Sequence, residues 1–105
     1  MKKSYDKLVR DRIPEIIEDA GKTAQVRQVY HKTLRRYAFK KLREEIEEFI
    51  ENPCAEEAAD VMEIMNFICY RAGIHEKSIL AYATAKRVER GGFEMGLVLD
   101  WVEEA

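Results

Sequence analysis

Between Thr33 and Glu51, apolar residues return at helical spacing. Leu34, Ala38, Leu42, Ile46 and Phe49 share one stripe when successive residues are set about 100° apart. That pattern predicts a long helix. A second stripe, made by Val61, Ile64, Met65 and Ile68, predicts another over 55–71, ended by Gly73. Asn52-Pro53 separates the two, since proline cannot continue a helix and restricts the residue before it. A third helix is predicted over 77–90, ahead of Gly91-Gly92. Upstream, Pro14 and Glu15 suit a first helical turn, and Gly21 a stop, which predicts a short helix over 13–20. Thr23–Tyr30, with Val26, Val29 and Tyr30, reads as one short strand, for which Leu97-Val98-Leu99 is a candidate partner. The expected fold is mainly α: a helical bundle built on an antiparallel αα-hairpin, with at most a small two-stranded β-ribbon.

The stripes contain residues that do not belong in an apolar face. Glu45 falls inside the first stripe and Glu48 on its edge, while Glu44 and Glu47 point away. On the next helix, Glu57 falls inside the stripe and Asp60 beside it, between Ile64 and Phe67. The tight Asn52-Pro53 link makes the helices antiparallel, so residues equally far from it lie level. Glu48 then faces Glu57, and Glu45 faces Asp60. Within each helix the two acids are about one turn apart and share a face. Four carboxylates therefore converge at one level. Crowded into a partly apolar seam, they must take up protons or a multivalent cation. An all-oxygen donor set suits a hard ion such as Mg²⁺ or Mn²⁺. The only histidines, His31 and His75, form no Glu-x-x-His motif of a di-iron bundle, and Cys54 and Cys69 have no zinc-ligand spacing.

Charge distribution sharpens the picture. The net charge is −2, yet residues 1–43 hold thirteen Lys/Arg against five Asp/Glu. Residues 44–63 hold nine acids and no base. Either bases from the first block fold back over these acids, or a cation supplies the missing charge. With 105 residues, 47% of them hydrophobic, the chain is read as one foldable domain over 1–105. The second long helix is apolar almost all round, with Met62, Cys69 and Tyr70 outside its main arc and Asn66 read as a buried hydrogen-bonding residue. A helix of that kind is buried on more than one side, which in so short a chain points to a homodimer or higher homo-oligomer. The opening Met-Lys-Lys-Ser-Tyr-Asp-Lys has no apolar stretch, so a cytoplasmic location with free thiols is expected, and no membrane partner.

Lys41-Leu42-Arg43-Glu44-Glu45-Ile46-Glu47-Glu48, with Glu57-Ala58-Ala59-Asp60, resembles the Glu-Glu-x-x-Glu…Glu-x-x-Asp signature of the all-α nucleoside triphosphate pyrophosphohydrolases, the MazG-like superfamily. Tyr5-Asp6-Lys7-Leu8-Val9-Arg10-Asp11-Arg12-Ile13-Pro14-Glu15-Ile16-Ile17, together with Lys86 and Arg90-Gly91-Gly92-Phe93, is similar to its phosphoribosyl-ATP pyrophosphohydrolase-like, or house-cleaning, branch. The blocks span nearly the whole chain. The interval from Glu48 to Glu57 is shorter than in many relatives, which trims the loop beside the site.

The resemblance implies that Glu45, Glu48, Glu57 and Asp60 hold Mg²⁺. It also implies hydrolysis between the α- and β-phosphates of a nucleotide, giving a nucleoside monophosphate and pyrophosphate. Glu44 and Glu48 are the candidates for activating the water, and spacing does not choose between them. A polyanionic substrate needs cations. Lys86, Arg87 and Arg90 stand just before Gly91-Gly92, whose missing side chains permit close backbone approach to a phosphate; Arg10 and Arg12 are further candidates. The plainer reading of the first group is a solvated helix end with a C-cap turn. Two alternatives stand beside the pyrophosphohydrolase. One is phosphoribosyl-ATP hydrolysis in histidine synthesis, which shares the chemistry. The other is a non-enzymatic helical module whose basic stretch Arg27–Arg43 meets nucleic acid; it ranks last, because no stacking platform or groove-reading motif accompanies the charge.

Overall fold

A computed structural model describes residues 1–105 and contains four helices: α1 (Ile13–Asp19), α2 (His31–Glu51), α3 (Ala55–Arg71) and α4 (Glu76–Arg90). The fold is mainly α, as the apolar periodicity indicates, and each boundary lies within two residues of its sequence-based position. No strand forms. The segments 23–30 and 97–99 are both without regular structure, so the expected β-ribbon is absent. The physical reason is modest pairing strength: an isolated two-stranded ribbon is marginal in water, and Arg27-Gln28 interrupts the alternation of the first segment. The chain divides into two compact units, Met1–Ala72 and Gly73–Ala105.

In the first unit, α2 and α3 pack on one another. The link between them is short. Asn52 caps α2 by donating its backbone N–H to Glu48 O at 3.0 Å, and Cys54, in extended conformation, starts α3. The centre of the seam is small. Ala38 (3% exposed) lets the helices approach, and Ile64 (7%) is the other buried apolar side chain. Further from the link the seam opens into a cleft of about 470 Å³ with Leu34, Phe39, Phe67 and Ile68 in its wall and Arg35 and Arg71 at its rim. The extended stretch before α1 is fastened to α2. Tyr37 Oη donates to Asp6 Oδ1 at 2.6 Å, and Arg27 Nη2 donates to Tyr37 Oη at 2.7 Å and to Asp6 Oδ1 at 3.3 Å. Asp6 takes a left-handed backbone (φ 46°), which Asp tolerates better than most residues.

The expectation that α3 is buried on several sides is not met within the first unit. Asn66 is exposed, not buried, and Met62 (63%), Met65 (41%) and Tyr70 (83%) face outward. One neighbouring helix covers one face, and α2 is the only helix packed on α3 within this unit. In the second unit, Gly91 ends α4: its φ of 82° is open to glycine, and its N–H bonds to Arg87 O at 2.9 Å. Cys54 and Cys69 are free thiols. No helix is long and apolar enough to cross a membrane.

Because Ile64 sits at the centre of so small a seam, Ile64→Ala is expected to destabilise the protein by about 2–4 kcal/mol in urea titration. Asn66→Ala, on the exposed face of the same helix, is expected to stay within about 0.5 kcal/mol.

Candidate metal centre

Glu45 lies on the second turn from the C-terminal end of α2 and Glu57 and Asp60 on the first two turns of α3, so the short link brings them together. One carboxylate oxygen from each of the three lies within 4.8 Å of the others. Glu45 is only 6% exposed, an unusual state for a carboxylate, and Glu57 and Asp60 are half-buried. Helical spacing explains the gathering: Glu45 shares the face of Ala38 and Leu42, and Glu57 and Asp60 share that of Ile64.

Cations from the basic first block do fold back over this group. Lys41, one turn before Glu45, lies 3.0 Å from Glu45 Oε1 and 3.4 Å from Glu44 Oε1. Lys7 Nζ is 3.1 Å from Glu44 Oε1, and Arg10 Nη2 is 2.7 Å from Asp60 Oδ1. The compensation is incomplete. Glu45 Oε2 and Glu57 Oε2 are buried and have no hydrogen-bond partner. A buried carboxylate oxygen without a donor costs free energy, and a cation placed among the three acids removes that cost. With oxygen donors alone and two orphaned lone-pair sites, the residues fit a hard divalent cation; zinc and copper prefer nitrogen or sulfur ligands.

The titration behaviour follows from the crowding. The Glu48 carboxyl is pushed above its ordinary range by the charge of Glu45 first, then by burial and by Glu44 and Glu57. Burial raises Glu57, with Asp60 and Glu45 adding to it. Glu44 behaves oppositely. Burial pushes it up, but Lys7 and Lys41 outweigh that and hold it below the usual range.

The four acids expected to converge thus appear as a close trio, Glu45, Glu57 and Asp60, with Glu48 an exposed residue at its edge that feels the same charges. Glu44 stands beside the trio between two lysines. Of the expected phosphate-binding residues, Arg10 is at the acidic group, whereas Arg12 pairs with Glu15 of α1 at 3.3 Å. Lys86, Arg87, Arg90, Gly91 and Gly92 belong to the second unit. There Arg87 Nη2 donates to Glu94 Oε1 at 2.6 Å, and a Cβ on Gly92 would collide with the Glu94 carboxylate and the Arg87 guanidinium. Gly91 caps α4, and Gly92 lies against the Arg87–Glu94 ion pair. Sequence reasoning missed Lys7 and Lys41. Lys41 had a signal, its position four before Glu45; Lys7 had none, because its contact spans 37 residues of chain.

Comparison with protein-family models, with curated proteins and with solved structures gives no match, so the resemblance to the pyrophosphohydrolases rests on the motifs themselves.

Glu48 and Glu57 have raised pKa values, so the folded state holds their protons to higher pH than the unfolded state does. Their ionised forms therefore oppose folding at neutral pH, and the penalty fades as pH falls through the raised values. In chelator, Glu48→Gln is expected to melt at a higher temperature than the parent at pH 7, with the gap closing as pH is lowered into the carboxylate range. Scanning calorimetry across that range checks it.

Proposed function

We propose that the protein is a Mg²⁺-dependent nucleotide pyrophosphohydrolase of the MazG-like type, cleaving between the α- and β-phosphates to give a nucleoside monophosphate and pyrophosphate. The observation that carries this reading is the acidic trio, one member buried and two half-buried, with two orphaned oxygens at a helix-hairpin seam. The motif resemblance, which includes those same acids, supports it. Glu45, Glu57 and Asp60 would hold the ion, with Glu48 at their edge as fourth ligand. When bound, Mg²⁺ supplies charge for the phosphates and lowers the pKa of a coordinated water. Glu44 and Glu48 would be the candidates to take a proton from that water. Glu44, held low by two lysines, is the poorer acceptor of the two. Along the same seam, the apolar cleft beyond Ala38, rimmed by Arg35 and Arg71, suits the nucleoside part of such a substrate.

The assembly proposed for this function is a homodimer. On α2, Ile46 and Ile50, and on α3, Met62, Met65 and Cys69, lie on one side of the acidic seam by helical periodicity. Ile50 and Met62 are 62% and 63% exposed. A second copy offers the same strip, and a self-complementary apolar face is what a two-fold interface requires. With only Ala38 and Ile64 as buried apolar side chains, a partner also enlarges a core too small for a lone domain.

Two outcomes test these readings. Pyrophosphate release from a panel of nucleoside triphosphates and phosphoribosyl-ATP is expected with Mg²⁺ and lost in chelator. Glu45→Gln is expected to reduce it about a hundredfold or more, and absence of release from every nucleotide would refute the activity. Sedimentation equilibrium is expected to give twice the chain mass of 12.3 kDa, and Met65→Lys to shift the population toward the single chain.

A further inference from the structure

Residues 1–10 carry no regular secondary structure, yet the stretch from Asp6 to Arg10 is fixed across both helices of the hairpin. Asp6 is clamped by Tyr37 and Arg27, and Leu8 and Val9 are half-buried. From this strap Lys7 reaches Glu44 on α2 and Arg10 reaches Asp60 on α3. One strand of chain thus lays two positive charges on the rim of the acidic trio, while neither reaches the orphaned Glu45 Oε2 or Glu57 Oε2.

We infer that Lys7 and Arg10 form a charge-exchange strap: they rest on Glu44 and Asp60 while the trio holds no ion, and pass to the polyphosphate of the substrate once a divalent cation takes the carboxylates. The inference rests on reading the trio as a divalent-ion site and adds to it the ligands of the polyanion. Three features of the contact support it. Asp60 is shared, being both a member of the trio and the acceptor for Arg10, so a cation among the acids draws on the same carboxylate and loosens the guanidinium. The Arg10 and Lys7 side chains are 56% and 34% exposed, and ion pairs this open to water are held weakly. A polyphosphate carries more negative charge than one dication cancels, and Arg10 gives Asp60 a single nitrogen, so the remainder of its fork is free to take two phosphate oxygens. Lys7, three residues before it, adds a point charge on the same side. Lys41 plays no part in the exchange, because it is less exposed and tied within one helix to both Glu44 and Glu45.

The signature is a change of opposite sign in two titrations of the full chain. For Mn²⁺ alone, followed by the paramagnetic resonance of the free ion, Arg10→Gln removes a competitor and is expected to tighten binding about threefold. For magnesium tripolyphosphate added to Mg²⁺-saturated protein, followed by calorimetry, the same variant is expected to weaken binding about tenfold or more. Lys7→Gln is expected to follow with the same signs and smaller size. Arg10→Lys keeps the charge without the fork, and is expected to restore the Mn²⁺ affinity but only part of the tripolyphosphate affinity. Lys22→Gln, an exposed lysine with no ion pair, controls for net charge. If Arg10→Gln weakens both ligands, or changes neither, while the parent protein binds Mn²⁺, the strap inference is wrong and the ion site stands. If the parent takes up no Mn²⁺, the ion site falls and the strap with it.

Discussion

The structure turns on a seam in which two helices press carboxylates together with too few donors around them. Nothing in residues 44–63 neutralises the nine acids there, and every ion pair they make is to a base from earlier in the chain. Lys41 supplies one from within α2. Lys7 and Arg10 supply two more, and to do so the segment before α1, extended and without a strand partner, crosses both helices. Asp6 at its end, bonded to Tyr37 and Arg27, fixes where that crossing begins. After all three cations are placed, two buried oxygens still lack a donor. A polypeptide bears such a cost where a ligand removes it, as at other strained or unsatisfied sites tied to function.

Much of this was legible from residue spacing. The helices, their limits and the convergence of Glu45, Glu57 and Asp60 follow from a period of 3.6 and from a proline-bearing link that forces the chain back on itself. What spacing did not provide falls into two kinds. Contacts between distant segments, such as Lys7 with Glu44, leave no periodic trace, because a single charged side chain in an irregular stretch has many partners open to it. Burial is the other kind. An apolar helix says that its faces are to be covered, not by what, so Met62, outside the main arc, and Asn66 are expected to be covered and stand exposed where α2 alone covers α3. The β-ribbon failed for a related reason. Two short runs of β-branched and aromatic residues are compatible with strands, but pairing them needs a covered face that neither run has.

Between α2 and α3 the acids and the apolar core compete for the same few positions. Ala38 and Ile64 close the seam at one level, and Glu45, at the same rotational position two turns on from Ala38, carries on the line of the core as charge. That leaves less apolar burial per residue than a lone domain of this size ordinarily needs. The exposed Ile46, Ile50, Met62 and Met65 beside the seam are the surface from which the balance can be recovered by a second chain, and the proposed dimer and the proposed ion site thus have one origin.

The link is accordingly part of the site and not merely its boundary. In an antiparallel hairpin, shifting one helix by a single residue rotates its side chains by about 100° against the other. A slip of that size would carry Glu57 out of the seam and bring Glu56 or Ala58 toward it, and the trio would be lost although every helix survived. Three residues, Asn52 to Cys54, prevent it. Asn52, at φ −143°, leaves the helical backbone after the last bond to Glu48 O, Pro53 bars continuation, and Cys54 in extended conformation sets the first turn of α3 through Ala58 N–H to Cys54 O at 3.0 Å. A longer and looser connection would let the carboxylates separate to relieve their repulsion. The short one holds them at one level, and the relief has to come from cations: those of the chain itself at the rim and, on the reading proposed here, a divalent ion at the centre.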